Sequence, residues 1–261
     1  MSKPLFLIGP PRSGTTIFTQ VLNTSKKILI TDELRAIGWF VKELNKIESG
    51  HEVHGDPYPY NYGKRFSTYL KANGSHFIKQ FYVNVSKEYN KENFSYWGDK
   101  YPHFDEYLDK VPRIFPRAKY IFIYRNLAEI INSVTIGHKW THEKSSNYVI
   151  RIYENYINKL KFIDESQITG FHFNELADKD LIRIKDIYKF LEIEINQDDV
   201  TNITKTLKLQ SHSNRTGTDN SVDYKKTKMK ISKKELDALH QNPRIIKLND
   251  EIISMFGIGI I

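Results

Sequence analysis

The sequence predicts an α/β fold in three layers, a central parallel sheet with helices on both faces, and three observations carry that reading. Short apolar runs such as Pro4–Gly9 (PLFLIG) and Lys119–Tyr124 (KYIFIY) lack the alternation of a one-sided sheet, so they read as strands buried on both faces. Segments of helical period alternate with these runs, which calls for right-handed crossovers and parallel pairing. The first run also passes through a glycine-bounded turn, Gly9-Pro10-Pro11-Arg12-Ser13-Gly14, straight into a helical segment.

In chain order, Pro4–Gly9 is the first strand and Thr15–Leu22 the first helix. Lys27–Thr31 (KILIT) reads as a second strand and Glu33–Ile47 as an amphipathic helix. His51–Gly63, with prolines at 57 and 59 and no regular period, reads as a loop. Gly63–Ala72 suits a helix, while Phe77–Asn84 suits a strand or a helix equally. Phe94–Lys100 is the next strand, and Phe104–Phe115 a helix closed by Pro116. Lys119–Tyr124 is the clearest central strand, followed by helices Leu127–Ile136 and Asn147–Ile163. Gln167–Phe173 reads as a strand, and Leu181–Leu191 and Ser232–Met255 as helices. No internal repeat or low-complexity linker divides residues 1–261, which read as a single domain. The polar segment 211–230 lacks an apolar period and reads either as a disordered insertion or as a lid that orders on ligand.

Composition narrows the function. A chain of 261 residues is ample for a buried core. The 39 Lys+Arg exceed the 31 Asp+Glu, giving a formal charge of +8 that favours anionic ligands: nucleotides, nucleic acids, acidic glycans. Solvated surface lysines explain the same surplus. Lys225, Lys226, Lys228, Lys230, Lys233 and Lys234 crowd one stretch, which should be exposed. The absence of cysteine excludes disulfides, thiolate metal sites, Fe–S clusters and a Cys nucleophile. No apolar run reaches about 18 residues, so no membrane-spanning helix is expected. Met1-Ser2-Lys3-Pro4 runs straight into the first strand without a signal peptide, and the expectation is a cytoplasmic protein.

The strongest local signal is Gly9-Pro10-Pro11-Arg12-Ser13-Gly14-Thr15-Thr16. With a strand before it and a helix after it, this loop turns backbone N–H groups and a helix dipole toward an anion. Gly14 permits close approach, Thr15 and Thr16 offer hydroxyls, and Arg12 adds a positive charge. The plain alternative is an ordinary strand-to-helix turn with a capping hydroxyl. A Walker A loop would carry Lys where Thr15 stands, and a Walker B strand would end near a Mg²⁺-binding carboxylate where KYIFIY ends at Arg125. Both differences point to a metal-free nucleotide site gripped by cations and amides. Arg125 stands at the carboxyl end of its strand, where open α/β sheets bind ligands, and Ser133 follows two helical turns later.

PPRSGTT after the first strand, and YRNLAEIINS from the fourth strand into its helix, resemble the two nucleotide signatures of sulfotransferases that use 3′-phosphoadenosine 5′-phosphosulfate (PAPS). Asp99-Lys100-Tyr101-Pro102 and the following IFPRAKYIFIYRN are similar to the stretch that tyrosylprotein and carbohydrate sulfotransferases carry before the 3′-phosphate motif. Asp32-Glu33-Leu34-Arg35 resembles the acidic-then-Arg segment that holds the base in tyrosylprotein sulfotransferases. His172-Phe173-Asn174-Glu175-Leu176 is similar to the family's HYE-L stretch, with Phe173 in the usual Tyr place, and Met255-Phe256-Gly257-Ile258 resembles its terminal LGY. The resemblance runs from about residue 4 to 257 and implies a three-layer P-loop NTPase-like fold.

It also implies roles. Arg12, Ser13, Gly14, Thr15 and Thr16 would hold the 5′-phosphosulfate, and Arg125 with Ser133 the 3′-phosphate. Lys100, with Arg12, would stabilise charge as the S–O bond breaks. Glu33 would take the acceptor proton, with Asp32 and His103 as rivals, and Arg35 and His103 would face the acceptor. The donor would be PAPS and the product PAP, with no metal. The acceptor would be a small molecule, carbohydrate or peptide, with no nucleic acid and no membrane insertion. Asn214-Arg215-Thr216-Gly217 resembles the element that closes over the nucleotide in cytosolic sulfotransferases, which makes Arg215 a lid contact. His138 and His142 have metal-ligand spacing only if helical, and loop placement after Gly137 argues against it. Two other classes compete: a P-loop kinase or NTPase, and a non-catalytic polyanion-binding protein.

Overall fold

The computed structural model describes residues 2–49, 59–177, 181–212 and 231–261. Strands β1 (Lys3–Ile8), β2 (Ile28–Asp32), β3 (Tyr96–Lys100), β4 (Lys119–Tyr124) and β5 (Ile168–His172) form one sheet in the order β2-β3-β1-β4-β5. Every pairing is parallel. Strand side chains alternate between faces, and in β1 this sends Phe6 and Ile8 into one apolar cluster and Leu5 and Leu7 into the other. Both faces are therefore covered, as the unalternating runs require. The result is the expected three-layer P-loop NTPase-like fold.

One face carries α2 (Ala36–Ser49), α3 (Pro59–Glu88), α5 (Leu127–His138), α6 (His142–Leu160) and α11 (Pro243–Phe256), whose apolar side chains join Phe6, Trp97, Tyr120 and Phe122. The other face carries α1 (Thr15–Leu22), α8 (Leu181–Phe190) and α9 (Gln197–His212) around Leu5, Leu7, Ile121 and Phe171. The short α4 (Val111–Ile114) and α7 (Phe173–Ala177) and the helix α10 (Lys233–His240) complete the set. From β1 the chain runs outward to β2, and it crosses β1 again between β3 and β4. The carboxyl ends of β1, β3 and β4 thus flank the topological switch point, where open sheets hold ligands.

Three expectations are corrected and one open choice is resolved. Residues 59–63 of the expected loop begin α3, because Pro59 is tolerated at a helix's first position; residues 51–58 lie outside the described residues. Phe77–Asn84 is helical: Ile78 and Tyr82, four apart, are both buried, and Tyr82 packs on Trp97 at 5.1 Å between ring centroids. Phe104–Phe115 is not one helix but a 3₁₀ turn at Phe104–Glu106 followed by α4, since Pro112 cannot donate to a preceding turn. Ser232–Met255 breaks into α10 and α11 at Asn242-Pro243, where Asn242 caps the second helix by accepting from Arg244 N at 3.0 Å. Helices α7 and α9 were not expected. No helix among the described residues is long and apolar enough to cross a membrane.

Candidate functional site

The loop after β1 is shaped by its own residues. The Ser13 hydroxyl donates to the Pro10 carbonyl at 2.7 Å, and the Ser13 amide donates to the same oxygen at 3.2 Å. Ser13 is fully buried, so it closes the turn from within. Gly14 has φ +100°, and a Cβ there would overlap the ring of Phe173. Only glycine meets both demands. The helix α1 starts immediately, and the amides of a helix's first turn have no partner within it. Thr15 is buried in that turn, while Thr16 is half-exposed and turns its hydroxyl to Lys100.

Lys100 ends β3, and its side chain is 1% exposed. Its ammonium donates to Thr16 Oγ1 at 3.1 Å and to Glu33 Oε1 at 2.9 Å, and it pairs with Asp32 Oδ1. These partners meet because β2 lies beside β3 in a register that opposes Asp32 to Lys100. Glu33 then follows the strand end, its amide donating to the Lys100 carbonyl at 2.8 Å. It stands at φ +59°, outside α2, so its carboxylate is not a first-turn helix acid. Arg35 places Nη2 3.9 Å from Glu33 Oε2 and its guanidinium 4.9 Å from the Tyr101 ring centroid. Beneath the turn, the Asp99 carboxylate accepts from Thr31 Oγ1 (2.9 Å), Leu34 N (3.2 Å) and Arg35 N (2.7 Å). Burial raises Asp99 to about 6, against those donors and the Lys100 charge.

Arg125 follows β4 directly. Tyr153, fully buried in α6, fixes its backbone by accepting from Arg125 N at 3.2 Å and donating to Arg125 O at 2.9 Å. Its guanidinium stacks 4.4 Å over the Phe173 ring centroid, and its Nε pairs with Glu129 one turn into α5. Ser133 lies on the same helix, and its hydroxyl accepts from Arg12 Nε at 2.9 Å. The two expected clamps are therefore joined: Arg12 reaches from the phosphate loop to α5, and Phe173 touches both Gly14 and Arg125. The sequence marked Phe173 only as a replacement for Tyr, and nothing local distinguishes it.

His103 sits farther along. Its Nε2 lies 3.5 Å from Tyr148 Oη, and its ring is 5.7 Å from that of Tyr101. Tyr148 meets Trp140 edge-on at 5.4 Å, and Trp140 stacks on His138 at 4.7 Å. This arc of rings begins at Tyr101 beneath Arg35 and ends at His138, next to Gly137, whose Cβ position lies 4.0 Å from Arg12 Nη2. It draws on three separate segments, so no local pattern announces it.

His138 and His142 do not pair. Contrary to the expected loop after Gly137, α5 runs through Gly137 to His138 and α6 begins at His142. His142 turns instead to Glu235, Nδ1 to Oε1 at 3.7 Å. Among the described residues, no group of three or more His, Asp or Glu side chains could hold a metal ion. Within HFNEL, Glu175 accepts from the His172 amide at 2.9 Å and from Arg183 Nε at 2.6 Å, which anchors the turn carrying Phe173. Arg215 and residues 213–230 of the expected lid lie outside the described residues.

Residues 4–198 match the model of a family described as the sulfotransferase family. Among solved structures, the chain is similar to sulfotransferase STF9 from Mycobacterium avium, with 13% identity, 98% of this chain and 77% of that one covered, and a TM-score of 0.54. It is likewise similar to the sulfotransferase domain from the curacin biosynthetic pathway (14% identity, 77% and 78% covered, TM-score 0.52). Mouse sulfotransferase SULT7A1 complexed with PAP matches at 11% identity over 98% of this chain and 84% of that one, with a TM-score of 0.50. At these identities the likeness is one of fold. No curated protein sequence matches significantly.

Proposed function

The chain belongs to the sulfotransferase family, and we propose that it moves a sulfuryl group from PAPS to a hydroxyl or amine by metal-free in-line displacement. The observation that carries this reading is the junction at Lys100, where a buried ammonium meets the phosphate-loop hydroxyl of Thr16 and the carboxylate of Glu33. The solved neighbour that holds PAP supports the choice of donor.

The residues present fit that donor. Unpartnered first-turn amides of α1, together with Arg12, Gly14, Thr15 and Thr16, face the 5′-phosphosulfate, and Arg125 and Ser133 face the 3′-phosphate. The donor supplies an activated S–O bond, which breaks with its electron pair leaving on PAP as a new S–O bond forms to the acceptor. Lys100 stabilises the charge that develops on the leaving oxygen, from a site too buried for water to screen it. Glu33 takes the acceptor proton, and Arg35 and His103 orient the acceptor along the arc of rings.

Support for Glu33 over His103 is positional: Glu33 stands between Lys100 and Arg35, whereas His103 faces Tyr148. Asp32 shares Lys100 but has no approach from Arg35 among the ion pairs of the described residues.

A thermal-shift panel in EDTA tests the assignment. PAP should stabilise the chain by about 2.7 kcal/mol at a hundredfold excess over its dissociation constant. ATP with Mg²⁺, without EDTA, should not. Stabilisation by ATP–Mg²⁺ alone would replace this reading with a kinase or NTPase. Transfer from labelled PAPS across phenolic, sugar and peptide hydroxyls then identifies the acceptor.

A further inference from the structure

Glu33 and Arg35 hold backbone conformations that side chains rarely adopt, with φ of +59° and +61°, and neither is glycine. Each such residue costs about 1–2 kcal/mol and persists only where its surroundings dictate it. One carboxylate takes two of the turn's three amides, and the Lys100 carbonyl takes the third. Asp99, 1% exposed, lies opposite Thr31 in the sheet and accepts three hydrogen bonds. Oδ2 takes the Arg35 amide, and Oδ1 takes the Leu34 amide and the Thr31 hydroxyl. Two consecutive amides of the turn thus end on a side chain adjacent in sequence to Lys100.

We infer that Asp99 is a positioning residue, whose carboxylate latches the Glu33–Arg35 turn to β3 and so sets Glu33 against Lys100 and Arg35 over Tyr101. Its consequence for turnover rests on the proposed role of Glu33; the latch itself does not. The two amide partners are donors only, while the Thr31 hydroxyl, which also lies 3.1 Å from the Gly98 carbonyl, can donate there and accept from a protonated Oδ1. Ionisation tightens the latch because a carboxylate accepts from amides more strongly than a neutral acid does. Burial keeps Asp99 protonated up to about pH 6. The other titratable groups facing it are Lys100, Tyr82 and Tyr89; burial raises both tyrosines above their ordinary range, so they stay neutral there. The latch should therefore tighten as pH rises through about 6.

Amide hydrogen exchange at Leu34 and Arg35 in the full chain tests this, with the Glu33 amide, which bonds the Lys100 carbonyl, as a control. In the wild type, after correction for intrinsic rates, protection of Leu34 and Arg35 should fall on going from about pH 7.5 to about pH 5, with the core strands unchanged. Asp99→Asn keeps the volume but leaves one acceptor oxygen and turns an NH₂ group onto the other amide, so at least one of the two amides should exchange at least about tenfold faster at neutral pH. Its PAP affinity should stay within about twofold while kcat falls about a hundredfold, the effect of misplacing a reacting group. Equal protection in variant and wild type, or wild-type protection that ignores pH, overturns the latch. If Asp99→Asn does not fold, the wild-type pH series decides alone. A chain that fails to bind PAP would instead overturn the transfer reading and leave the exchange result standing.

Discussion

Lys100 and Glu33 are 67 positions apart in the chain, and Nζ of one meets Oε1 of the other at 2.9 Å. The two side chains differ sharply in setting: the ammonium is 1% exposed and the carboxylate 41%. A buried cation with half-exposed anionic partners leaves those partners open to exchange. In the proposed reaction an incoming anionic donor would take over part of the coordination of Lys100, leaving Glu33 to accept a proton.

Glu33→Gln should lower turnover by about 10²–10⁴-fold, the usual worth of a general base. PAP affinity should stay near wild type, because Asp32 still neutralises Lys100. Transfer from labelled PAPS, paired with PAP titration, reads both. If Asp32→Asn or His103→Ala shows that loss and Glu33→Gln does not, the base is misassigned.

Arg125→Ala should weaken PAP binding by about 1.5–3 kcal/mol, the value of a hydrogen bond to a charged group. Arg125→Lys keeps the charge but loses the fork and the stacking on Phe173, and should fall between. Calorimetric titration with PAP gives both values, and unchanged affinity for the alanine variant would sink the 3′-phosphate clamp.

Gly14→Ala should damage the loop twice, through strain at φ +100° and through overlap with Phe173. The strain alone is worth about 1–3 kcal/mol. Adding Phe173→Ala relieves the overlap but not the strain, so the double variant should recover part of the stability lost by Gly14→Ala. It should not recover PAP affinity, since Arg125 loses its platform. Urea melts and PAP titrations separate the two effects; full recovery of binding would argue against the coupling.

Asp99 should leave a mark on stability as well. Its folded value, about 6, lies above the ordinary 3.8, so the folded chain holds the proton longer. Its stabilising contribution is complete below about pH 4 and is lost as pH rises through 6, a difference on the order of 3 kcal/mol. Ionisation thus tightens the turn locally while lowering global stability. The gap in unfolding free energy between wild type and Asp99→Asn should move against the wild type from about pH 4 to about pH 7. A gap that stays flat across that range would refute the burial argument.

The regular elements that could be read in advance share one property: their signal is local. Apolar runs without alternation marked β1 and β4, and Gly9 to Thr16 marked the loop between β1 and α1, because strand, turn and helix start are contiguous there. Pro112 and Pro243 were visible too, and the helices drawn across them ignored a missing donor. Helix α9 escaped because its buried positions, Ile203 and Leu207, are few within a polar segment.

The site divides the same way. Arg12 and Arg125 were legible as cations beside strand ends, since a chain that spaces strands and turns in order must bring their carboxyl ends to one edge, and Lys100 was marked by the family resemblance. What the fold alone decided was partnership. The order β2-β3-β1-β4-β5 sets Asp32 and Glu33 on Lys100, Thr31 on Asp99 and Phe173 between Gly14 and Arg125. Residue types and spacing determine which groups reach the edge of a sheet. Which of them touch depends on strand order and register, and these follow from packing both faces at once rather than from any single stretch of chain.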